Sequence, residues 1–474
     1  MPRLFAPALV IASCLFSSPA WAVQTDTELV CLLVGKDYHN GTDPTSAHQP
    51  DLRLFGTDLG FSFRHDDSVV MLFGDTWIEE DFICEPPSFT DDSLAFIDLA
   101  EDDDPEDCLD LVFPTDLADV PLPIEVWQSG VLQNMGPLRT PLTGFSDGRQ
   151  LYGMFTGDAQ TCLAAPVCPE GLTCVGGLCG DATSSQAGFG TLAFRVKIAS
   201  ATSSNPTVFN VGHEWPTNKF VNPTSRAIGA LDERDPDNND YEPGEEPDEL
   251  LVWGRPGFAA AGTGTADLYL LHHPLSTLNG PGTTINWTPR YFAGMSGSVP
   301  TWSSTQTDAV PVIALEDVDP VLHSSVAYVP AIQKWVLLYS GRWPGTASTP
   351  TTGVYMRTAP HPWGPWSEAD LIWHAVDDGA YDCPGGFMYD EESVGMSCTP
   401  TDPYRPGAFE ACPAESADPN GDLGVEYGIN ILDTFTASGM AIDTATIYWN
   451  LSTWNPYRVV LMKTDLDDSV IIPP

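Results

Sequence analysis

GTDLGFSFRHDDSVVMLFGDTW, residues 56–77, contains two short apolar segments separated by Asp66-Asp67. This pattern is typical of a β-hairpin in which the two aspartates form the turn. Pairing outward from that turn places Asp58 directly opposite Asp75 on adjacent antiparallel strands, with Cβ atoms about 4.5–5.5 Å apart. Like charges so placed are destabilising, so a sequence selected for stability alone should avoid them. The pair therefore predicts a functional site at the open end of the hairpin.

Two neighbouring carboxylates are the groups that hydrolysis of a glycosidic bond requires. A retaining glycosidase holds them about 5–5.5 Å apart, and an inverting one about 6.5–9.5 Å apart. Direct opposition of Asp58 and Asp75 favours the shorter distance and hence retention, whereas a β-bulge would lengthen it. Which aspartate is the acid stays open, and either one alone could instead cap a neighbouring turn.

The remaining sequence predicts an all-β fold. Proline (43) and glycine (41) are frequent, and no stretch carries an apolar period of helical length. Short alternating segments recur as five units of three or four strands, which predicts a five-bladed β-propeller in a single domain, residues 23–474. The predicted units comprise 52–98; 126, 150–155 and 191–195; 220–221, 249–254 and 267–271; 325–329, 334–339 and 353–357; and 427–431, 446–451 and 458–463.

Long connections interrupt this pattern at 99–120, 157–188, 232–249 and 376–424. Each is acidic, Pro-rich or Cys-rich, so the sequence predicts surface inserts rather than core. Loops on one face of a propeller commonly surround its ligand site, so some of these inserts are expected to shape access to it.

The first 22 residues read as a secretory signal peptide, with Arg3, an apolar stretch and the cleavage site Ala20-Trp21-Ala22. A lipoprotein signal ending at Cys14 is the alternative. The apolar run continues past Cys14, which favours simple secretion, to the medium, the periplasm or the cell surface. No later segment approaches the ~18–20 apolar residues of a membrane span.

Cysteines beyond the signal support export. The chain has 11 cysteines, and removal of Cys14 leaves an even number, which predicts disulfides. Four of them are clustered at Cys162, Cys168, Cys174 and Cys179. Their spacing favours a disulfide-stapled insert over a zinc site, which would usually show closer pairs. Cys84 and Cys108 flank an acidic loop, and the connectivity stays open.

The charge balance is strongly acidic, with 19 basic and 65 acidic residues and a net charge of −46. Such a surface repels phosphates and anionic lipids, so neither nucleic acid nor a membrane is an expected partner. It suits a neutral or cationic substrate, or a medium rich in salt or calcium. Solubility alone also accounts for it.

Several motifs together resemble a bacterial family of five-bladed propellers, long classed as a domain of unknown function, that includes endo-acting D-arabinanases. The motifs, which span nearly the whole chain beyond the signal, are GTDLG at 56–60, FGDTW at 73–77, LVWG at 251–254, SSVAY at 324–328, KWVLLY at 334–339, MRTA at 356–359, WGPWS at 363–367, STWNPY at 452–457 and VVLM at 459–462. The resemblance implies hydrolysis of D-arabinofuranose polymers by paired aspartates near the propeller axis, and Asp58 and Asp75 are the matching positions. The cysteine cluster and the acidic loops depart from the family and leave the substrate open more than the chemistry.

Candidates for substrate binding are Trp77, Asn222, Arg226, Trp253, His323 and Trp454. The histidine starts a strand of the fourth unit, where it could hydrogen-bond a sugar hydroxyl or serve a structural role. The tryptophans could stack on sugar rings, although most tryptophans in propellers pack between blades.

A structural calcium site is a further hypothesis, although the predicted chemistry requires no cofactor. Asp418, Asn420 and Asp422 place oxygen donors at alternate positions, as calcium loops do, but their glycine placement departs from the EF-hand pattern. The acidic run 235–240 has donors without a defined frame. A solvated acidic loop is the alternative for both.

The sequence has no Gly-rich phosphate loop, no His-Glu-x-x-His and no Gly-x-Ser-x-Gly, which disfavours nucleotide chemistry, zinc proteolysis and common serine hydrolases. It therefore predicts a secreted propeller glycoside hydrolase that cuts arabinofuranosyl linkages in a polysaccharide, D-arabinan first among them. The alternatives are a non-catalytic carbohydrate-binding propeller and a propeller glycosidase with a different polysaccharide substrate. Linkage, endo or exo action and oligomeric state stay open.

Overall fold

The computed structural model describes residues 25–34, 52–54, 56–78, 89–90, 92–101, 104–128, 130–135, 140–159, 173–175, 178–180, 194–217, 219–235, 239–241, 247–256, 265–279, 284–316, 323–342, 352–380, 387–388, 425–437, 445–454 and 458–466. The predicted signal peptide, the calcium candidates Asp418, Asn420 and Asp422, and most of the Cys-rich insert lie outside these residues. The described chain is all-β, as predicted.

The strands, in chain order, are β1 (Thr25–Val34), β2 (Leu59–His65), β3 (Ser68–Phe73), β4 (Thr76–Trp77), β5 (Phe89–Thr90), β6 (Ser93–Asp98), β7 (Glu125–Gln128), β8 (Val131–Asn134), β9 (Pro141–Ser146), β10 (Gln150–Ala159), β11 (Thr173–Val175), β12 (Leu178–Gly180), β13 (Phe194–Thr202), β14 (Asn205–Pro216), β15 (Asn222–Ile228), β16 (Glu249–Arg255), β17 (Thr265–Pro274), β18 (Arg290–Ser296), β19 (Val299–Ser303), β20 (Pro311–Glu316), β21 (Ser324–Val329), β22 (Lys334–Arg342), β23 (Thr352–Ala359), β24 (Asp370–His374), β25 (Val425–Ile431), β26 (Ala445–Trp454) and β27 (Arg458–Leu466). One short helix, α1, spans Asp433–Ala437, and 3-10 turns lie at Leu99–Glu101, Pro105–Asp107, Leu275–Thr277, Gln306–Asp308 and Pro330–Ile332.

Most of these strands form the five blades of a β-propeller, whereas β4 pairs with β5 and β11 with β12 in two separate two-stranded sheets. Blade 1 contains β2, β3 and β6; blade 2 contains β9, β10, β13 and β14, extended outward by β7 and β8; and blade 3 contains β15 to β20. Blade 4 contains β21 to β24, and blade 5 contains β25, β26, β27 and β1. The predicted five-bladed architecture is confirmed, and each predicted unit corresponds to one blade.

The apolar composition of the strands follows from packing on both faces of each blade. Successive residues of a strand point to opposite sides of its sheet. Along β3, Val69, Met71 and Phe73 pack against blade 5, whereas Val70 and Leu72 pack against blade 2. Among the described residues, one cluster of buried side chains fills each of the interfaces between neighbouring blades. Central strands are therefore apolar on both faces, which explains runs such as 68–73.

The first strands of the blades line the axis of the propeller. They contact one another in a closed ring, β2–β9–β15–β21–β25 and back to β2. Asp58 at the start of β2 bonds to Tyr427 near the start of β25, and His65 at the end of β2 bonds to Ser146 at the end of β9. The inner strands therefore run in the same direction. We call the end of the axis where they begin the Asp58 end, and the other the Asp66 end.

The ring is closed by an N-terminal strand that the sequence did not predict. Strand β1 pairs antiparallel with β27 as the outer strand of blade 5, with Thr25 opposite Leu466 and Val34 opposite Val459. A disulfide joins Cys31 of β1 to Cys108, which follows blade 1. The N-terminal strand is thus held to the last blade by a ladder and to the chain after blade 1 by a covalent bond.

The prediction that the long connections are only surface inserts is wrong in part. Within 99–120, Leu109, Leu111 and Phe113 are buried, and Val112 exchanges two backbone hydrogen bonds with Phe96 at the outer edge of blade 1. Tyr241 of the acidic 232–249 connection packs on Trp335 of blade 4, with ring centroids 5.3 Å apart. An acidic segment can still supply core residues when a few apolar side chains interrupt its charges.

Candidate functional site at the Asp58 end of the axis

Asp58 lies immediately before the innermost strand of blade 1. Its Oδ2 accepts a hydrogen bond from the hydroxyl of Tyr427 at 2.8 Å, which connects blade 1 to blade 5. The side chain of Asp58 is half-buried, whereas Asp75 is exposed. The candidate carboxylates therefore differ in environment as well as in position.

The predicted direct opposition of Asp58 and Asp75 is wrong. The hairpin turn at Asp66-Asp67 is as predicted, with His65 opposite Ser68 and Phe61 opposite Leu72. A register shift then occurs between Leu59 and Phe61, so Leu59 lies opposite Phe73. Gly60, with φ of 84°, is the extra residue of this β-bulge. Asp58 consequently faces Gly74, whose N–H donates to the Asp58 carbonyl at 3.1 Å, and Asp75 is displaced by one residue.

Gly74 leaves room for the Asp58 carboxylate. A Cβ at position 74 would overlap Asp58 Oδ1. The adjacent threonines fix the same turn, since Thr76 Oγ1 donates to the Gly74 carbonyl at 2.9 Å and lies 3.2 Å from Thr57 Oγ1. The Phe-Gly-Asp-Thr motif thus places a carboxylate from one strand against a side-chain-free position of the next.

His323 precedes the inner strand of blade 4 and lies at this same end. Its Nδ1 accepts the N–H of Gly428 at 3.2 Å, which makes Nε2 the donor nitrogen of the neutral ring. The ring packs against Phe61 and Tyr427, with centroids at 5.6 and 6.4 Å. Burial, aided by the positive charge of Arg255, lowers the pKa of His323 to about 3. The imidazole is therefore a neutral hydrogen-bond donor rather than an acid or a base at ordinary pH.

Asn222 also lies at the Asp58 end. It is the first residue of β15, is buried and pairs in register with Arg255. The structure therefore brings Asp58, Asn222 and His323 to the same end of the axis, from blades 1, 3 and 4.

Arg226 does not join them. Its buried guanidinium donates to the Ile431 carbonyl at 2.8 Å and to Ser325 Oγ at 2.9 Å, and its Nε lies 3.6 Å from Asp433 Oδ2. These contacts connect blade 3 to blades 4 and 5 inside the axis. The described contacts of Nη2 with blades 4 and 5 favour a structural role for Arg226 over a sugar contact.

The three tryptophans predicted to stack on sugar rings lie in different environments. Trp253 is fully buried between blades 3 and 4, where its ring lies 5.2 Å from that of Trp335 and its Nε1 donates to the Pro362 carbonyl. It cannot stack on a sugar, so this prediction is wrong. Trp77 is half-buried in β4, two residues after Asp75, and its backbone N–H donates to the Gly56 carbonyl. The backbone of Trp454 pairs with Val425 at the Asp58 end of blade 5, and its side chain lies outside the described residues.

The described residues include no group of three or more His, Cys, Asp or Glu side chains arranged to hold a metal ion. In the acidic run 235–240, Asn239 Oδ1 accepts the N–H of Asp232, and the N–H of Asp240 donates to the Ala230 carbonyl. These bonds fold the described part of the loop on itself. No helix in the described part of the chain could cross a membrane.

Long chain segments leave from the Asp58 end. The ladder of β10 and β13 ends there at Ala159 opposite Phe194, so the chain between them leaves and returns at that end. The same holds for the segments between β3 and β6, between β16 and β17, between β22 and β23, and between β24 and β25. At the Asp66 end, β2 and β3 and also β13 and β14 are joined by two-residue turns, whereas longer connections follow β6, β15 and β17. Long connections therefore join strands at both ends of the axis.

A cavity of about 560 Å³, including space open to solvent, lies at the opposite, Asp66 end. Phe63, Phe145, Arg226 and Asp433 line it. It does not include Asp58 or Asp75. Arg226 faces Asp433 within it, and the charged residues Arg64 and Asp66 also line it. We therefore place the candidate site at the Asp58 end, where a half-buried carboxylate, an exposed one and a neutral N–H donor lie together.

Tyr427 is the residue that the sequence analysis missed. It is part of the predicted fifth unit, where the sequence indicates only a strand position for it. A signal was nevertheless present, since Tyr427 stands near the start of an inner strand, as Asp58 and His323 do. Residues in that position share one end of the axis.

Comparisons with known proteins give only distant likenesses. No family model matches the chain, and no curated protein matches it. Among solved structures, an α-L-arabinofuranosidase from Podospora anserina covers 94% of this chain and 97% of its own, with 11% identity and a TM-score of 0.35. An α-L-arabinofuranosidase catalytic domain from Coprinopsis cinerea has 9% identity, coverage of 94% and 98%, and a TM-score of 0.35. A Cellvibrio cellulosa α-L-arabinanase mutant has 10% identity, coverage of 86% and 90%, and a TM-score of 0.29. Likenesses this weak carry no argument about activity.

Proposed function

We propose that this chain is a secreted glycoside hydrolase that cleaves arabinofuranosyl linkages within a polysaccharide, with D-arabinan as the substrate. Asp58 and Asp75 are its proposed catalytic pair, and Asn222, His323 and Trp77 its proposed sugar contacts. The observation that carries the proposal is the placement of the half-buried Asp58 carboxylate against Gly74, with the exposed Asp75 as the following residue, at the same end of the axis as His323. The motifs that carry the resemblance to the D-arabinanase propellers include GTDLG at 56–60 and FGDTW at 73–77, which supply these two aspartates.

The β-bulge at Gly60 bears on the stereochemistry. Retention depended on direct opposition of the two carboxylates, which the register shift removes. An offset pair is no longer bound to the short retaining distance, and the inverting arrangement, in which a water molecule fits between carboxylate and sugar, allows a longer one. We therefore propose inversion at the anomeric carbon.

Secretion is part of the proposal. The Cys31–Cys108 disulfide is of a kind that persists in oxidising compartments. Together with the predicted signal peptide it supports an exported enzyme that meets its polysaccharide outside the cytoplasm.

The test is hydrolysis of purified D-arabinan, followed by reducing-end release and by the anomeric form of the first product. We expect oligosaccharides from the wild type and a loss of about 10³-fold or more in Asp58→Asn and Asp75→Asn, with nearly unchanged melting temperatures. Asp66→Asn, in the hairpin turn at the other end of the same blade, is the matched control and should keep full activity. Full activity in both catalytic variants would end the proposal.

A non-catalytic carbohydrate-binding propeller is the second candidate. The one-residue offset of Asp75 from Asp58 favours it, because a pair held too far apart could bind a sugar without cleaving it. Saturable binding of arabinan oligosaccharides without product release would identify this alternative. Cleavage of another polysaccharide in a substrate panel would instead identify a different glycosidase.

A further inference from the structure

The hydroxyl of Tyr427, in blade 5, donates a hydrogen bond to Asp58 Oδ2 at 2.8 Å. Asp58 is one of the two proposed catalytic carboxylates. The acceptor is a carboxylate oxygen, which makes the bond charge-assisted and stronger than a neutral one. The bond therefore acts on the protonation state of Asp58.

We propose that Tyr427 is a positioning residue that keeps Asp58 ionised and thereby divides the roles of the pair. Asp58 becomes the base, and Asp75 becomes the acid. The physical reason is that a donated hydrogen bond favours the charged form of a carboxyl group over the neutral form. This inference rests on the proposed function and assigns roles that the sequence left open.

Other titratable and charged groups also lie near this end. His323 of blade 4 faces Tyr427 but is neutral, with Nδ1 accepting from Gly428. Arg255 is buried beside His323. Glu426 precedes Tyr427, and with Asp75 it adds negative charge, which opposes a second ionised carboxylate. Among the hydrogen bonds described at Asp58, the one donated by Tyr427 favours its ionised form.

The roles give a balanced reaction. Asp75 transfers its proton to the glycosidic oxygen as the bond from that oxygen to the anomeric carbon breaks. A water oxygen bonds to the anomeric carbon, and Asp58 accepts the proton that this water releases. Asp58 then loses that proton to solvent and Asp75 regains one, which restores both carboxyl groups. Only the product with inverted configuration follows from this sequence.

A second tyrosine–carboxylate bond in the same blade supplies a matched control. The hydroxyl of Tyr448 donates to Glu106 Oε1 at 3.2 Å, also between blade 5 and the chain that follows blade 1's strands. Tyr448→Phe removes the same chemical contact away from the Asp58 end. A purely structural role for Tyr427 predicts similar behaviour in Tyr427→Phe and Tyr448→Phe.

The experiment uses the full-length protein and measures the protonation of Asp58 in two ways, by the pH dependence of catalysis and by chemical labelling without substrate. The pH dependence of kcat/KM on D-arabinan is measured for wild type, Tyr427→Phe and Tyr448→Phe. In parallel, carbodiimide labelling, which modifies protonated carboxyls, is followed residue by residue across pH by mass spectrometry of peptides. We expect Tyr427→Phe to move both the acidic limb of kcat/KM and the labelling midpoint of Asp58 upward by about one pH unit. Tyr448→Phe should move neither.

The outcomes separate the inference from the proposed function. Unchanged labelling of Asp58 in a folded Tyr427→Phe variant overturns the inference, whether or not the protein hydrolyses arabinan. Absence of hydrolysis with a shifted labelling midpoint supports the hydrogen bond's effect and overturns the enzymatic proposal. If Tyr427→Phe does not fold, the wild type alone still tests the inference. The inference requires the labelling midpoint of Asp58 to lie at a lower pH than that of Asp75. The reverse order of the two midpoints contradicts it.

Discussion

The carboxylate of Asp58 occupies the space that a side chain at position 74 would need, since a Cβ on Gly74 would overlap Asp58 Oδ1. Gly74 has no positive φ, so close approach and not backbone conformation requires glycine there. Gly74→Ala should displace the carboxylate and reduce kcat on arabinan at least about 100-fold, while overpacking lowers stability by about 1–3 kcal/mol. Activity and thermal midpoint are to be measured together.

The control for that variant is Gly144→Ala, in which the new methyl group would overlap the ring of Phe63 in the interface between blades 1 and 2. It should lose comparable stability and keep kcat, because Phe63 lies towards the Asp66 end. Equal loss of kcat in both variants would show that general destabilisation, and not displacement of Asp58, is responsible.

Arg226 distinguishes a structural role from a substrate contact. Lysine keeps the charge but cannot reach the Ser325 hydroxyl and the Ile431 carbonyl with a planar fork. Arg226→Lys should therefore lower the free energy of unfolding by about 3 kcal/mol and leave KM nearly unchanged, as measured by urea denaturation and steady-state kinetics. Arg64 is exposed and lines the cavity at the Asp66 end. Arg64→Lys should change neither the free energy of unfolding nor KM by much. A raised KM at unchanged stability would return Arg226 to the sugar site.

His272 makes stability depend on pH. Burial lowers its pKa, but hydrogen bonds to Glu233 at 2.9 Å and Glu249 at 3.2 Å outweigh burial and raise the pKa overall. A histidine whose pKa is raised on folding contributes stability that is complete below its unfolded pKa, about 6.5, and is lost as pH rises through the folded value. The thermal midpoint of the wild type should therefore exceed that of His272→Gln most at about pH 5.5, with the difference shrinking above neutrality.

His213 offers a control of opposite sign. Burial lowers its pKa, although Glu214 opposes the shift. Stability from a lowered histidine pKa is present above the unfolded value and is lost as pH falls. The difference in thermal midpoint between the wild type and His213→Gln should therefore shrink as pH falls. The same pH trend for His272→Gln and His213→Gln would contradict the opposite pKa shifts of the two histidines.

The Cys31–Cys108 disulfide closes a loop with a sequence separation of 77 residues. In the chain-entropy account, removal of such a crosslink costs about 4 kcal/mol of unfolding free energy. The double variant Cys31→Ala/Cys108→Ala should show this loss in urea denaturation. Because the bond ties β1 to the chain after blade 1, the wild type under reducing agent should lose a similar amount, and an unchanged midpoint in both would rule out a stabilising role.

The local features of the fold could be predicted from the sequence. The Asp66-Asp67 turn, the apolar strands and the repetition of five units depend on neighbours a few residues apart, and the structure confirms them. Strand β1 could not be recognised in the same way, because a single strand that completes a distant sheet has no partner nearby in sequence. Trp253 and Arg226 were misread for a related reason, since a buried interface residue and a binding residue look alike until the neighbouring blade is in place.

The register at the site depended on contacts far along the chain. Leu59 has a φ of 68°, which is uncommon for a residue other than glycine, and with Gly60 it forms the bulge. Blade 5 holds this peptide, because Ser452 Oγ accepts the Leu59 N–H at 2.6 Å and Asn450 Nδ2 donates to the Leu59 carbonyl at 2.8 Å. These partners are more than 390 residues away in sequence, so turn counting alone could not reveal the shift.

The sequence by itself determined the hairpin, the repeated blades and the two aspartates near one turn, because alternation and turn chemistry act over short distances. Only the tertiary structure decided that Asp58 faces Gly74, that Asp75 is offset by one residue, and that Tyr427 reaches Asp58. Those relationships require the closed ring, which brings the start of blade 5 against the start of blade 1 and holds the bulge between them.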